Sequence, residues 1–248
     1  MIIDHPKKEH LPALKELWHE AFGDEDEVID AFFSYAYSPE RCFTVISAGS
    51  VAAAAYYFRC TVDLRPIAYV YGVAVRKSCR GQGISKLLLE KIHRRLSSEG
   101  FSGAILVPAD EGLFSMYERL GYSSPVYLSE TFITEAALDS ILKEKITPEK
   151  YTRLRRAHIP RGGVIQEGES LTYLSETACL YRTSNGVACV FKEHGRPVSA
   201  EVLGEDVTKY ASADGKVKVR HPGTGKKFAL YKSFDGSDAP SYLGIAFD

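Results

Sequence analysis

The sequence predicts an α/β (α+β) fold: a mixed, mostly antiparallel sheet flanked by helices, followed by a second, smaller α+β unit. Three observations predict it. A glycine turn joins two apolar strands early in the chain, strands then alternate with amphipathic helices, and after residue 186 the chain turns to strands. At 248 residues the chain is also longer than one typical domain needs.

Residues 1–3 read as a short strand. Over residues 8–22, Leu11, Leu14, Trp18 and Ala21 recur at helical spacing until Gly23 stops them. A second helix is expected over 25–37. Strands at 41–46 and 51–60 meet at Ala48-Gly49-Ser50, and Pro66 opens another at 67–75. A loop over 76–83 leads into a helix over 84–98, with Ile84, Leu87, Leu88, Ile92 and Leu96 on one face. A buried-type strand at 103–107 follows, then a short helix at 111–120 with Asp110 placed to cap its start and Gly121 its end. Residues 122–131 supply a further strand.

Residues 135–156 are charged and largely helical, interrupted at Thr147-Pro148. They read as the connector between a first unit, 1–130, and a second, 131–248. In the second unit a helix is expected at 169–182, and strands at 187–191, 198–203, 217–220, 227–232 and 242–247. Gly223-Thr224-Gly225-Lys226 superficially suggests a phosphate loop, but strand-like flanks make it a hairpin turn.

Bulk properties exclude several classes. The formal net charge of -1 leaves no footprint for nucleic acid or an anionic membrane. Five scattered cysteines show neither a disulfide framework nor zinc-ligand spacing, so no metal is expected. The N-terminus lacks an apolar signal core and no apolar run could span a bilayer, so a cytoplasmic location is the expectation.

The stretch YVYGVAVRKSCRGQGISKLLLEKI carries the chemistry. A strand enters Arg80-Gly81-Gln82-Gly83-Ile84-Ser85 and passes directly into an amphipathic helix. Glycines let backbone approach a ligand closely, and a helix start offers unpaired N–H groups with a partial positive charge. Together these suit a diphosphate, with Arg80 adding a charged contact. Alone the pattern is weak, because Arg-x-x-Gly-x-(Gly/Ala/Ser) arises by chance in roughly one chain in six of this length. The glycine spacing does not fit a dinucleotide fold, and no Gly-Lys-Ser/Thr closes a Walker loop.

A second stretch, GAILVPADEGLFSMYERLGY, supplies strand, turn, short helix with a tyrosine, and Leu-Gly-Tyr. With both stretches in place, residues 1–130 resemble the GCN5-related N-acetyltransferase (GNAT) superfamily. Arg80, Gly81, Gly83 and Ser85 match its Arg/Gln-x-x-Gly-x-Gly/Ala motif, with Ser85 a small departure. Tyr117, Gly121 and Tyr122 match its later Tyr-x-x-x-Gly-Phe/Tyr signature, and Asp110 stands where Asn is common.

The resemblance implies acetyl-CoA as co-substrate and a primary amine of a small molecule or peptide as acceptor, joined by direct attack in a ternary complex. Val73, Ala74 and Val75 would pair with the pantetheine arm, and one of their N–H groups would polarise the thioester. Arg80, Gly81, Gln82, Gly83, Ile84, Ser85 and Lys86 would hold the diphosphate. Tyr117 would protonate the departing thiolate, although its spacing with Leu113 and Leu120 also suits a core tyrosine.

The strand IAYVYGVAV has no carboxylate to serve as base. Tyr69 and Tyr71 fit either a water chain or one face of a sheet. Asp24, Glu25, Asp26, Glu27 and Asp30 read first as a solvated helix start, although the resemblance puts this region beside the acceptor pocket. Phe32, Phe33, Tyr35 and Tyr37 read first as core.

The whole layout is similar to the enhanced-intracellular-survival branch, in which a degenerate acetyltransferase-like domain follows the catalytic one. In that branch the terminal carboxylate reaches the active site, which makes Asp248 a candidate base. The rival class is a non-catalytic acyl-CoA-binding sensor or degenerate acyltransferase. No motif encodes the acceptor, the acyl length or the oligomeric state, and a homo-oligomer is compatible with the chain.

Overall fold

The structure, a computed structural model, describes residues 1–247. Strand β1 (Ile2–Asp4) precedes helices α1 (Leu11–Phe22) and α2 (Asp26–Tyr35). Strands β2 (Cys42–Ser47) and β3 (Ser50–Val62) form a hairpin across Ala48 and Gly49, both at positive φ as a tight primed turn requires. Strand β4 (Arg65–Val75), helix α3 (Ile84–Ser98), strand β5 (Gly103–Leu106), helix α4 (Glu111–Arg119) and strand β6 (Ser124–Ile133) follow. Next come α5 (Glu135–Ile141), β7 (Leu142–Lys145), α6 (Pro148–His158), β8 (Ile165–Gln166) and α7 (Glu169–Thr177). The chain continues through β9 (Ala178–Thr183), β10 (Val187–Glu193), β11 (Arg196–Leu203) and the long β12 (Val217–Ser233).

Among the described residues these strands make one sheet in the order β1-β2-β3-β4-β5-β12-β11-β10-β9-β7, with β6 on β12 and β8 on β3. Only β4–β5 and β11–β12 run parallel, so the sheet is mixed and mostly antiparallel, as expected. β12 pairs with β6 along both its halves, with β11 at its start and with β5 at its end. A strand from late in the chain thus lies between β5 and β6, and residue 130 falls inside β6. No helix of the described residues is long and apolar enough to cross a membrane.

Alternation along the central strands splits the core into two faces. Ala53, Ala55, Tyr57, Ala68 and Val70 pack beneath α3 and α4. Tyr56, Phe58, Ile67 and Tyr69 pack on the opposite face, against Trp18 of α1, Phe32 of α2 and Tyr173 of α7.

Several sequence expectations are corrected. The helix expected over 169–182 stops at Thr177, because Ala178–Thr183 pairs with β10 instead. The largely helical 135–156 contains a strand, β7, which pairs with β9. Residues 217–220 and 227–232 belong to one strand, and 222–225 are an irregularity within it rather than a hairpin. Residues 242–247 are buried but form no strand, having only a bridge from Tyr242 to Gly163. On α3, Leu89 and His93 take the buried face, whereas Leu87 is exposed.

His93 has a measurable consequence. Its Nε2 lies 2.8 Å from the Tyr122 hydroxyl, and burial, assisted by the Lys232 charge, pushes its pKa down to about 3. The unfolded chain protonates this ring near 6.5, while the folded chain keeps it neutral. A depressed folded value means the stability is present above pH 6.5 and lost as pH falls towards 3. The loss is about 2 kcal/mol by pH 5. In His93→Gln, urea midpoints should depend less on pH between about 7 and 5; the parental slope would place the acid sensitivity elsewhere.

Candidate active site

β4 and β5 pair only from Ile67 opposite Gly103 to Tyr69 opposite Ile105. β5 ends at Leu106, while β4 runs on to Val75. Opposite Ala55, β4 inserts both Gly72 and Val73, a two-against-one bulge flanked by the Tyr56–Tyr71 and Ala54–Ala74 pairs. Gly72 sits at φ +59, and an added Cβ would lie 2.9 Å from Tyr56 and 3.2 Å from Trp18. Only glycine fits both the conformation and the space. A bulge sharpens local twist, which turns the end of β4 away from β5. No ladder joins Val73, Ala74 or Val75 to β5 among the described residues.

A cavity of about 660 Å³ fills this split. Its lining includes Val70, Leu106, Phe114 and Tyr117 from the α3–α4 face, and Trp18, Tyr71, Phe228 and Phe247 from the other. The cavity therefore passes through the sheet. Two ligands can meet in it from opposite faces of the sheet.

Tyr117 stands where the sequence places it. Asp110 caps α4, its carboxylate accepting the Leu113 N–H at 3.1 Å. Two turns along, Tyr117 lines the cavity with 7% of its surface exposed. Burial, reinforced by the Asp110 charge, pushes its phenol up to about 12.

The 80–86 loop lies at the end of the same β4 strand, outside the cavity lining. Arg80 Nε donates to the Val75 carbonyl at 3.1 Å, and Gln82 Nε2 to that of Ser78 at 3.5 Å. Gly83 caps α3 at φ +72, and Gly81 lies at φ +77. An added Cβ at either would meet no atom within 4 Å, so this backbone is open to a ligand. Lys86 is exposed at the start of α3, Ser85 is half-buried, and Ile84 turns its side chain into the core, leaving its N–H for the site. Val73 lines the cavity, whereas the Ala74 side chain is buried against the α1–α2 face.

Of the acidic run, only Asp24 lines the cavity, and its Oδ2 accepts the Trp18 Nε1–H at 2.7 Å. Glu25, Asp26, Glu27 and Asp30 are exposed, as a solvated helix start would be. Phe32 is core, and Tyr35 is exposed.

Sequence reasoning missed the wall supplied by β12: Lys218, Arg220, Lys226, Lys227 and Phe228. Alternation in Val217-Lys218-Val219-Arg220 marks a strand with one cationic face, but nothing local says that it borders β5.

Phe247 also lines the cavity, with its ring centroid 5.9 Å from those of Tyr69 and Tyr71. It is held there by a buried network. Arg155 and Glu201 form a two-pronged pair at 2.8 and 2.9 Å, and the Tyr151 hydroxyl donates to the same carboxylate at 3.2 Å. Arg155 Nη1 also donates to the Val164 carbonyl, and the Val164 N–H donates to that of Tyr242. Gln166 Nε2 donates to the Ile245 carbonyl at 3.1 Å. Asp248 lies outside the described residues.

Comparison with known proteins agrees with this geometry. Residues 3–124 match the family model of the acetyltransferase (GNAT) domain. A GCN5-related N-acetyltransferase from Kribbella flavida is 17% identical, with TM-score 0.65, over 94% of this chain and 72% of that one. Eis1 from Mycobacterium abscessus is 13% identical, with TM-score 0.65, over 95% and 74%. A GCN5-related N-acetyltransferase from Anabaena variabilis is 12% identical, with TM-score 0.64, over 93% and 72%. These likenesses span both halves of the fold. No curated protein matches the chain in sequence. Family match and split strands show that residues 3–124 form an acetyltransferase domain of the GCN5-related N-acetyltransferase superfamily, whose fold the solved structures share over nearly the whole chain.

Proposed function

We propose that the protein transfers an acetyl group from acetyl-CoA to a primary amine by direct attack in a ternary complex. The cavity that crosses the sheet at the β4–β5 split, with Tyr117 inside it, carries this reading. Residues 1–130 bind the coenzyme, and 131–248 complete the acceptor side through β12 and Phe247. The open backbone of Gly81 and Gly83, the start of α3, Arg80 and Lys86 suit the diphosphate. The free edge of Val73, Ala74 and Val75 suits the pantetheine amides, and one of these N–H groups would stabilise the oxyanion. Asp248, which follows Phe247, is the proposed base; replacing it with Asn tests that role.

One observation favours a second reading, an acyl-CoA sensor: β4 presents no carboxylate to the cavity. Thiol release from acetyl-CoA separates the two. Amine-dependent release is expected, whereas coenzyme binding without it would leave the sensor. In Gly83→Leu, left-handed strain of about 1–2 kcal/mol should weaken coenzyme binding roughly tenfold by calorimetry. Gly83→Asn, which tolerates that conformation, should lose less. Unchanged affinity in the leucine variant would remove the loop from the diphosphate site.

A further inference from the structure

We propose that Glu20 is a positioning residue for coenzyme binding: from α1 it fixes the start of the 76–83 loop, and with it the Arg80–Ser85 turn that follows. Glu20 has this role only if that turn holds the coenzyme diphosphate, as read above.

A diphosphate site built from backbone N–H groups must be held from its flanks. Amides that point at a ligand cannot also tie down their own loop. Order established before binding raises affinity, because less freedom is lost when the ligand arrives. Gly81 and Gly83 both lie at positive φ with open space beside them, so packing does not fix them. Downstream, the buried Ile84 anchors the start of α3 in the core. Upstream, β4 ends at Val75, and Lys77–Cys79 form a short 3-10 turn. The Cys79 N–H closes that turn on the Arg76 carbonyl at 2.8 Å.

Glu20 grips the turn at two points. Its Oε1 accepts the Lys77 N–H at 2.5 Å, and its Oε2 accepts from Arg76 Nη1 at 3.1 Å. Arg76 is in turn fixed to β3. Its Nε donates to the Val51 carbonyl at 2.8 Å, and its own N–H donates to that of Ala52 at 2.9 Å. The far end of the tie is rigid too, since Leu14, Leu17 and Trp18 bury α1 against the sheet. Glu16, one helical turn back, reaches only Arg76 Nη2, at 3.3 Å, and is 70% exposed against 26% for Glu20. An exposed pair of that kind contributes little. The Lys77 N–H, and after it the Arg76 guanidinium, hold the Glu20 carboxyl below its ordinary range against the opposing desolvation. The grip is therefore that of a carboxylate at neutral pH.

Calorimetry with coenzyme A on the full chain tests the role. Glu20→Ala removes both contacts and should raise Kd about fivefold or more. Glu20→Gln keeps an oxygen for the Lys77 N–H and should lose no more than half as much on a logarithmic scale. Glu16→Ala, the matched control on the same face, should stay within about twofold. In the thiol-release assay the coenzyme KM of Glu20→Ala should rise, with kcat and the acceptor KM within about twofold of the parent. That split separates positioning from a general weakening of the fold, which would move all three. Should Glu20→Ala fail to fold, Glu20→Gln decides on the same split, with a coenzyme Kd about twofold or more above the parent expected. Parental coenzyme affinity in the folded Glu20 variants, an equal loss in Glu16→Ala, or equal rises in both KM values would overturn the proposal. A parent that binds no coenzyme A would sink the coenzyme reading as well, whereas a binding parent matched by Glu20→Ala would sink this role alone.

Discussion

Glu201→Ala is expected to destabilise the protein by about 3–5 kcal/mol, the usual loss when one partner of a buried ion pair is removed. Glu201 and Arg155 are almost wholly buried, with side-chain exposures of 1% and 4%. Burial works against the charged guanidinium, but the Glu201 carboxylate outweighs it and pushes the Arg155 pKa above its ordinary value. Removing the carboxylate leaves a buried cation without its anion and the Tyr151 hydroxyl without its acceptor. Urea unfolding measures the loss, and a parental midpoint would show that the pair does not hold the fold. The double variant Arg155→Met, Glu201→Leu should recover most of the stability, because apolar groups of similar size often replace buried ion pairs at little cost. It should not recover the tail. Gly244 passes so close to the Glu201 carboxylate that an added Cβ would overlap it, and Arg155 holds the carbonyl of Val164, whose N–H binds Tyr242. Hydrogen exchange at residues 242–247 should therefore rise in a variant whose global stability is restored.

That contrast shows which parts of the molecule could be read locally. The glycine turn before α3 was legible because its determinants are neighbours in sequence: a strand, two glycines at positive φ, and a helix that begins at once. Asp110 as the cap of α4, and Tyr117 within that helix, were legible for the same reason. Gly72 inside a run of Tyr, Val and Ala is an ordinary sign of a bulge, although only pairing reveals that it opens the split. The rest is non-local. The turn at 223–226 reads as a hairpin if its flanks pair with each other, but both pair with β6, at Ser129 on one side and Leu128 on the other. Residues 178–182 suit a helix until β10 offers them a ladder, and sheet pairing overrides propensity. The cationic wall follows from β12 lying between β5 and β6, a choice that no window of sequence encodes.

Tyr117→Phe is expected to lower kcat by at least tenfold, and by about 100-fold if the phenol supplies full general-acid catalysis. Phenylalanine preserves the ring packing against Tyr122, so coenzyme affinity should stay within about twofold and isolate the hydroxyl. With its pKa pushed up to about 12, the phenol remains protonated across the assayable range, and no loss of rate below about pH 10 should trace to it. The same shift constrains how it acts. Against a thiol of about 8.5 in water, full transfer would cost about 5 kcal/mol. A thiolate released into the same apolar cavity is raised by the same desolvation, which narrows the gap. In the proposed reaction Tyr117 would serve best as a hydrogen-bond donor to the sulfur as its charge develops, completing transfer only as the bond breaks. Asp110→Asn supplies the companion measurement. Removing that charge should lower the Tyr117 pKa towards its ordinary value of 10 and leave kcat near the parent value, since the hydroxyl is retained. Equal kcat in Tyr117→Phe and the parent would take the phenol out of the chemistry and leave it as a wall of the cavity.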